Sequence, residues 1–191
     1  MGYDVTALDF AENMIEAVRR NSDRWGIPVT AVRGDAEDLP FADGSFDAIV
    51  SNYALWAIPH PEKAMSEWMR VLAPSGIVAY VDSGKYNRDS LVSRIWRKQA
   101  FRMRAKDGNA HAIEPDPDEQ RSLESLWSRD ADRPAEDLRM MKAAGFSDVM
   151  AIRDVQKKVF KGKRYIEYGY LKNTFLISGV KRERMPPLIP C

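Results

Sequence analysis

Three polar residues follow apolar stretches near the start of the chain, and their placement suggests a ligand site. Asp9, Asp35 and Asn52 each come shortly after an apolar, β-branched run. In an open α/β sheet, ligands bind outside the carboxyl ends of the strands. Carboxylates accept hydrogen bonds from hydroxyl and amino groups, and an amide side chain both donates and accepts them. The sequence therefore predicts a polar ligand site at one edge of a sheet.

One histidine lies near this group in the sequence. An unperturbed imidazole would suit removal of a proton from a nucleophile, which makes His60 a secondary candidate for a general base. His60 also stands directly before Pro61, where a helix-entry role is the alternative. The chain has two histidines in all, and its one cysteine, Cys191, is the last residue. The sequence therefore predicts no metal site of the cysteine or histidine type.

The elements around these residues predict an α/β fold. Predicted strands and helices alternate along the first part of the chain: strands at Tyr3–Leu8, Pro28–Val32, Phe46–Ser51 and Ile77–Val81, and helices at Glu12–Asn21 and from Pro61 to Leu72. This alternation is typical of an open, mostly parallel, twisted sheet with flanking helices and right-handed crossovers. The continuous apolar run at Ile77–Val81 favours a strand covered on both faces.

The segment 85–134 differs in character and is predicted to be a helical insertion or cap. Between Lys85 and Lys106, eight basic residues accompany one acidic residue, which raises the hypothesis of RNA binding. Its aromatic residues fall mainly on an apolar stripe, and the segment Glu114–Glu136 is acidic. A solvated helix face or a cap over the site is therefore favoured over a nucleic-acid surface. The candidates for lining an apolar pocket are Tyr86, Trp96, Phe101 and Trp127.

The remainder predicts a helix at Ala135–Ala144, two strands at Val149–Phe160 and Thr174–Val180, and a flexible tail at 183–191. The whole chain, 1–191, is predicted to form a single domain.

Bulk composition indicates an ordinary globular protein. The net charge is +1, with 30% charged and 45% hydrophobic residues, so charge alone favours neither nucleic acid nor membrane. No apolar run approaches the ~18 residues of a membrane span. The N-terminal stretch lacks the features of a secretory signal, and a cytoplasmic location is predicted.

The stretch from Gly2 to Asp82 resembles the class I, Rossmann-like methyltransferases that use S-adenosylmethionine (SAM), and 134–182 resembles them more weakly. The resemblance rests on Val5–Phe10, on Gly34-Asp35-Ala36 and on the block Leu39–Ser51. It implies an antiparallel last strand, a small-molecule methyl acceptor and S-adenosylhomocysteine as the product.

The resemblance also implies a set of cofactor-binding residues at matching positions. Asp9 would accept hydrogen bonds from both ribose hydroxyls, and Asp35 would accept one from the adenine amino group. The backbone N–H of Ala36 would meet a ring nitrogen. The positions that flank the adenine ring and the methionine half are Phe10, Met14 and Asn52.

One departure from the family pattern is large. The G-x-G-x-G segment that follows the family's first strand is missing, and the chain opens where the family's second strand opens. The missing strand would lie between the strands that end at Asp9 and Ser51. Three explanations stay open. The gene product begins upstream, a second copy or another protein fills the gap, or these two strands pair directly.

Two rivals to the enzyme hypothesis also stay open. One is a non-catalytic, methyltransferase-like module that acts through dimerisation or partner binding. The other is a nicotinamide-dependent oxidoreductase, since an acidic residue after the second strand also binds the ribose of NAD. The methyl acceptor and its reacting atom are not specified by the sequence.

Overall fold

The computed structural model describes residues 2–84, 126–168 and 173–182, together with positions 95 and 102. Its strands are β1 (Thr6–Asp9), β2 (Thr30–Arg33), β3 (Phe46–Asn52), β4 (Leu72–Ser83), β5 (Ser147–Arg153) and β6 (Thr174–Val180). Its helices are α1 (Glu12–Trp25), α2 (Pro61–Val71), α3 (Ala135–Ala143), α4 (Val155–Val159) and α5 (Lys163–Tyr168). Short 3₁₀ turns lie at Leu55–Ala57 and Trp127–Arg129.

The strands form an open α/β arrangement with flanking helices, which confirms the predicted fold class. β1 and β2 pair in parallel. In the four-stranded sheet the order is β3-β4-β6-β5, with β3 parallel to β4 and β6 antiparallel to both of its neighbours. The antiparallel last strand implied by the resemblance is therefore present.

β1 and β3 do not pair with each other among the described residues. The explanation in which these two strands join directly is therefore wrong for this structure. Each has one edge paired, β1 to β2 and β3 to β4, and the other edge faces a cleft. Val50 of β3, which borders this cleft, keeps 81% of its surface exposed.

The main core lies on the four-stranded sheet. β4 alternates buried residues along its length, and α2 and α3 cover it with apolar side chains. Trp68 of α2 meets Tyr80 of β4 at 5.7 Å between ring centroids. Burial of such aromatic groups is a large favourable term for a sheet of this size. This core fixes β3 and β4, whose carboxyl ends border the cleft.

Two element predictions need correction. The strand predicted at Val149–Phe160 ends at Arg153, because Asp154 adopts a left-handed conformation (φ 57°) and α4 begins at Val155. The first helix is confirmed but runs on to Trp25, where Gly26 ends it with φ 62°.

Most of the predicted insertion at 85–134, with Tyr86, Trp96 and Phe101, lies outside the described residues, as does the tail 183–191. Within the part that is described, no helix is long and apolar enough to cross a membrane. The cytoplasmic location and the single domain stay predictions from the sequence.

Candidate functional site

The ends of β1 and β2 bring the two predicted carboxylates to the same edge. Asp9 pairs with Arg33 across the parallel ladder, and the N–H of Gly34 donates to the Asp9 carbonyl oxygen at 3.1 Å. A Cβ at Gly34 would lie 2.9 Å from Leu8 Cδ1, so glycine permits this close approach. Asp35 therefore follows the strand end next to Asp9, as a shared ligand requires.

The Asp9 side chain is half-buried and already oriented by the backbone. Its Oδ1 accepts a hydrogen bond from the Ala11 N–H at 2.9 Å, immediately before α1 begins. A carboxylate has about four lone-pair positions on its two oxygens, so further donors can be accommodated. The turn thus presents a fixed acceptor at the carboxyl end of β1.

Asp35 begins a tight loop. Its Oδ1 accepts from the Glu37 N–H at 2.9 Å, and its carbonyl oxygen accepts from the Asp38 N–H at 3.3 Å. The side chain is exposed. Such Asx turns fix the backbone that follows the aspartate, which here includes Ala36.

Two apolar side chains next to Asp9 are open to solvent. Phe10 is 70% exposed and Met14 is 50% exposed. The guanidinium of Arg33 lies 5.9 Å from the Phe10 ring centroid, and its Nε donates to the Phe10 carbonyl oxygen at 3.2 Å. An aromatic ring and a thioether in these positions offer flat, polarizable contact for a planar ligand.

A cleft of about 300 Å³ separates β1 from β3. It is lined by Asp9 from β1, Ala36 from the loop after β2, and Asn52 from the end of β3. The floor is largely apolar, and its residues include Leu8, Leu39, Ile49, Val50 and Trp68. An apolar cleft with a few converging polar groups is the usual form of a small-molecule site.

The structure brings together three of the six predicted cofactor residues in this cleft. The other three, Phe10, Met14 and Asp35, are not among the residues that line it. Phe10 directly follows Asp9, Asp35 directly precedes Ala36, and Met14 lies in the first turn of α1. Their assigned roles stay predictions.

The residue after Asn52 has a strained backbone. Tyr53 has φ 53°, and its N–H donates to the Val81 carbonyl oxygen at 2.8 Å. A non-glycine residue in this region is uncommon and recurs at functional sites. Gln156 Nε2 donates to the Tyr53 hydroxyl, so α4 holds this side chain in place.

His60 is not among the residues that line the cleft. Its Nδ1 is 2.8 Å from Glu37 Oε2, its N–H donates to Glu37 Oε1 at 2.8 Å, and 63% of its side chain is exposed. Burial raises the pKa of Glu37, but the hydrogen bonds from His60 outweigh it and hold that pKa below its ordinary value. These contacts agree with the helix-entry role, and the role of His60 as a general base stays a prediction.

A buried charge cluster near the end of β4 escaped sequence reasoning. Arg133 Nη2 lies 2.9 Å from Asp82 Oδ2 and 2.6 Å from Asp137 Oδ1, and the side chains of all three residues are fully buried. The Tyr80 hydroxyl also donates to Asp137 Oδ1 at 3.1 Å. Burial raises the pKa of Asp82, although Arg133 opposes the shift. Nothing in the spacing of these residues marks them as partners.

Within the described ranges, histidine and acidic side chains do not gather into a group of three or more that could hold a metal ion.

Comparisons of the sequence and of the structure with known proteins both find methyltransferases. Residues 1–80 match the family model described as a methyltransferase domain. A demethylmenaquinone methyltransferase from Desulfitobacterium hafniense is 35% identical over 96 residues, which cover 48% of this chain and 37% of that protein. An N-methyltransferase from Haemonchus contortus, in complex with phosphomonomethylethanolamine and S-adenosylhomocysteine, has a TM-score of 0.61 at 15% identity, covering 96% of this chain and 45% of the other. A SAM-dependent methyltransferase from Aquifex aeolicus has a TM-score of 0.54 at 19% identity, covering 93% and 68%.

The structural likeness at TM-scores of 0.54 and 0.61 shows the Rossmann-like fold of the class I methyltransferases. The sequence match of residues 1–80 to the methyltransferase domain model agrees with that fold. The resemblance predicted from the sequence is thereby confirmed. The chain spans 37% of the length of the Desulfitobacterium relative.

Proposed function

We propose that this chain is a SAM-dependent methyltransferase that acts on a small-molecule acceptor. The observation that carries the proposal is the cleft between β1 and β3, where Asp9, Ala36 and Asn52 meet from three different elements. The family match favours this function over a non-catalytic module and over a nicotinamide-dependent oxidoreductase. A small-molecule acceptor agrees with the demethylmenaquinone methyltransferase that the chain resembles.

The residues present fit the adenosine part of the cofactor. In the proposed site, Asp9 accepts from the ribose hydroxyls, and its fixed turn before α1 removes the cost of orienting it. Phe10 and Met14, both exposed beside it, would cover the adenine ring. Asp35 and the Ala36 N–H would bind the adenine edge, and Asn52 would border the methionine half.

When bound, SAM supplies an electrophilic methyl group. The contribution of this chain is to bind and orient reactants in the cleft, and such positioning supplies a large part of the acceleration in a bimolecular transfer. A general base is not required for every acceptor, so His60 has no assigned role in the proposal.

The direct test is calorimetric titration of the chain with S-adenosylhomocysteine. Saturable binding with a one-to-one stoichiometry is expected. A chain that is folded by circular dichroism and shows no heat of binding would contradict the proposed function.

The same proposal includes a homodimer that completes the sheet. It is supported by one edge each of β1 and β3, which no strand of the described ranges pairs with, since unpaired strand edges are templates for another chain. Light scattering over a range of concentrations is expected to show a dimer, and Val50→Lys on the exposed face of β3 should weaken it. Val159→Lys, at a 63% exposed position on α4, is the matched control. A wild-type chain that stays monomeric at every concentration would exclude the dimer.

A further inference from the structure

The turn after β3 is held by residues that are distant in sequence. Trp56 donates its N–H to Asp82 Oδ2 at 2.9 Å, and its carbonyl oxygen accepts from Ser128 Oγ at 2.7 Å. The carbonyl oxygen of Leu55 accepts from Trp127 Nε1 at 3.3 Å. Both peptide groups that flank the Trp56 side chain are thus bound from outside the turn.

This turn is part of the cleft wall. Ala54 and Ile58, the residues on either side of the 3₁₀ turn, both line the cleft between β1 and β3. Asn52, proposed to border the methionine half of the cofactor, is two residues before Ala54. A shift of the turn would therefore change the shape of the cleft at the end where Asn52 lies.

The acceptor that holds the turn is itself fixed in orientation. Asp82 Oδ1 accepts from the Ser83 N–H at 2.8 Å, and Oδ2 is shared between Trp56 and Arg133. The Arg133 guanidinium lies 4.8 Å from the Trp127 ring centroid and 5.2 Å from that of Phe175. A buried ion pair tolerates little displacement, because an unpaired charge is costly inside a protein.

The 3₁₀ turn at Leu55–Ala57 is thus hydrogen-bonded both to β4 and to the segment 126–133. From these contacts we infer that Ser128 and Arg133 are positioning residues, which set the Trp56 turn and through it the affinity of the cleft for its ligand. The inference deepens the proposed function and rests on it for the identity of the ligand. A purely structural role for these residues would change the stability of the protein and leave the affinity of its folded form unchanged.

Ser128 is the better site for a test, because its hydroxyl can be removed without leaving a buried charge. Ser128→Ala removes the donor to the Trp56 carbonyl oxygen, and Ser128→Thr keeps it. The matched control is Ser147→Ala, since Ser147 Oγ likewise donates to a backbone carbonyl oxygen, that of Val180, at 3.1 Å and away from the cleft. Arg133→Lys serves as a second variant that keeps the charge and loses the forked geometry.

Two measurements are made on each folded variant. The first is the affinity for S-adenosylhomocysteine by calorimetry, where Ser128→Ala should bind about fivefold more weakly, Arg133→Lys should also bind more weakly, and Ser128→Thr and Ser147→Ala should match the wild type. The second is hydrogen exchange, where amides of residues 55–58 should exchange faster in Ser128→Ala while those of β4 do not.

The outcomes separate the inference from the proposed function. If the wild type binds and Ser128→Ala binds equally well, the inference is overturned and the proposed function stands. If the wild type does not bind, the proposed function fails, and local exchange at residues 55–58 still decides whether Ser128 positions the turn. A uniform rise in exchange across the chain would show a structural role only.

Discussion

Replacement of Asp9 tests the proposed site most sharply. Among the described residues, the Asp9 side chain accepts one hydrogen bond, from the Ala11 N–H to Oδ1. The proposed contacts to the ribose hydroxyls would add to it. Asp9→Asn retains an oxygen that can accept from Ala11 and removes the negative charge. Asp9→Ala removes both functions. The pair of variants therefore separates the ligand contact from the local fold.

The expected magnitudes follow from these contacts. A hydrogen bond to a charged group contributes about 1.5–3 kcal/mol, which corresponds to roughly a 10- to 150-fold change in Kd. Asp9→Asn should weaken the binding of S-adenosylhomocysteine by an amount in this range and change the free energy of unfolding by less than about 0.5 kcal/mol. Asp9→Ala should in addition lower the free energy of unfolding by about 1 kcal/mol, because the hydrogen bond from the Ala11 N–H is lost.

Affinity is measured by calorimetry and stability by denaturant unfolding on the same preparations. Asp47→Asn, at an exposed position near the start of β3, is the control for loss of one negative charge and should bind like the wild type. Binding by the wild type that is unchanged in both Asp9 variants would refute the assignment of Asp9. If Asp47→Asn weakened the binding of S-adenosylhomocysteine as much as Asp9→Asn does, the effect would come from the loss of negative charge in general.

Three further outcomes concern stability. Ser75→Gly should raise the free energy of unfolding by about 0.5–1 kcal/mol, because Ser75 has φ 63°, where glycine has no steric penalty; an unchanged or lowered denaturant midpoint would contradict this. Arg70→Ala should lower the free energy of unfolding, because Arg70 donates to the Leu39 and Phe41 carbonyl oxygens at 2.8 and 2.7 Å as well as to Glu67. Arg70→Lys should recover only part of the loss, and equal denaturant midpoints for Arg70→Ala and the wild type would contradict this. Hydrogen bonds from Arg70 hold the pKa of Glu67 below its ordinary value of 4.5, so the unfolded state binds the proton more readily and stability should fall as the pH drops through and below that value. The measurement is the thermal midpoint of unfolding as a function of pH, which should fall less steeply below pH 4.5 in Glu67→Gln than in the wild type. Equal slopes in the two proteins would exclude the contribution of Glu67.

Apolar periodicity predicts much of this fold, because burial of one face imposes it on the sequence. The run at 77–81 indicated β4 correctly, and the stripe that includes Trp68 indicated α2. The strand predicted to reach Phe160 was wrong beyond Arg153, since one left-handed residue, Asp154, redirects the chain into a short helix. Backbone conformation of this kind has no periodic signal.

The candidate site was predicted where a local motif carries it and missed where distant residues meet. Asp9 and Asn52 could be placed on the cleft because each ends a strand, and ligands of α/β folds bind at the carboxyl ends of strands. Arg133 and Asp82 are separated by 51 positions, and each resembles an ordinary surface charge in the sequence. Their pairing depends on how α3 packs on β4, which spacing alone does not encode. His60 could be placed at the start of α2 from Pro61, but its contact with Glu37, 23 positions earlier, has no signal in the sequence.

The separation of β1 from β3 has a consequence for the order in which the molecule opens. The β1–α1–β2 unit makes its strand pairing internally, and within residues 2–33 Ile15 is the one fully buried side chain. A two-stranded unit with so little core has low intrinsic stability and should undergo sub-global unfolding before the four-stranded sheet does. A ligand that contacts both Asp9 and Asn52 would bind only when the β1–α1–β2 unit is folded. Its observed affinity would therefore be lower than its intrinsic affinity, because binding must also oppose the sub-global unfolding of that unit.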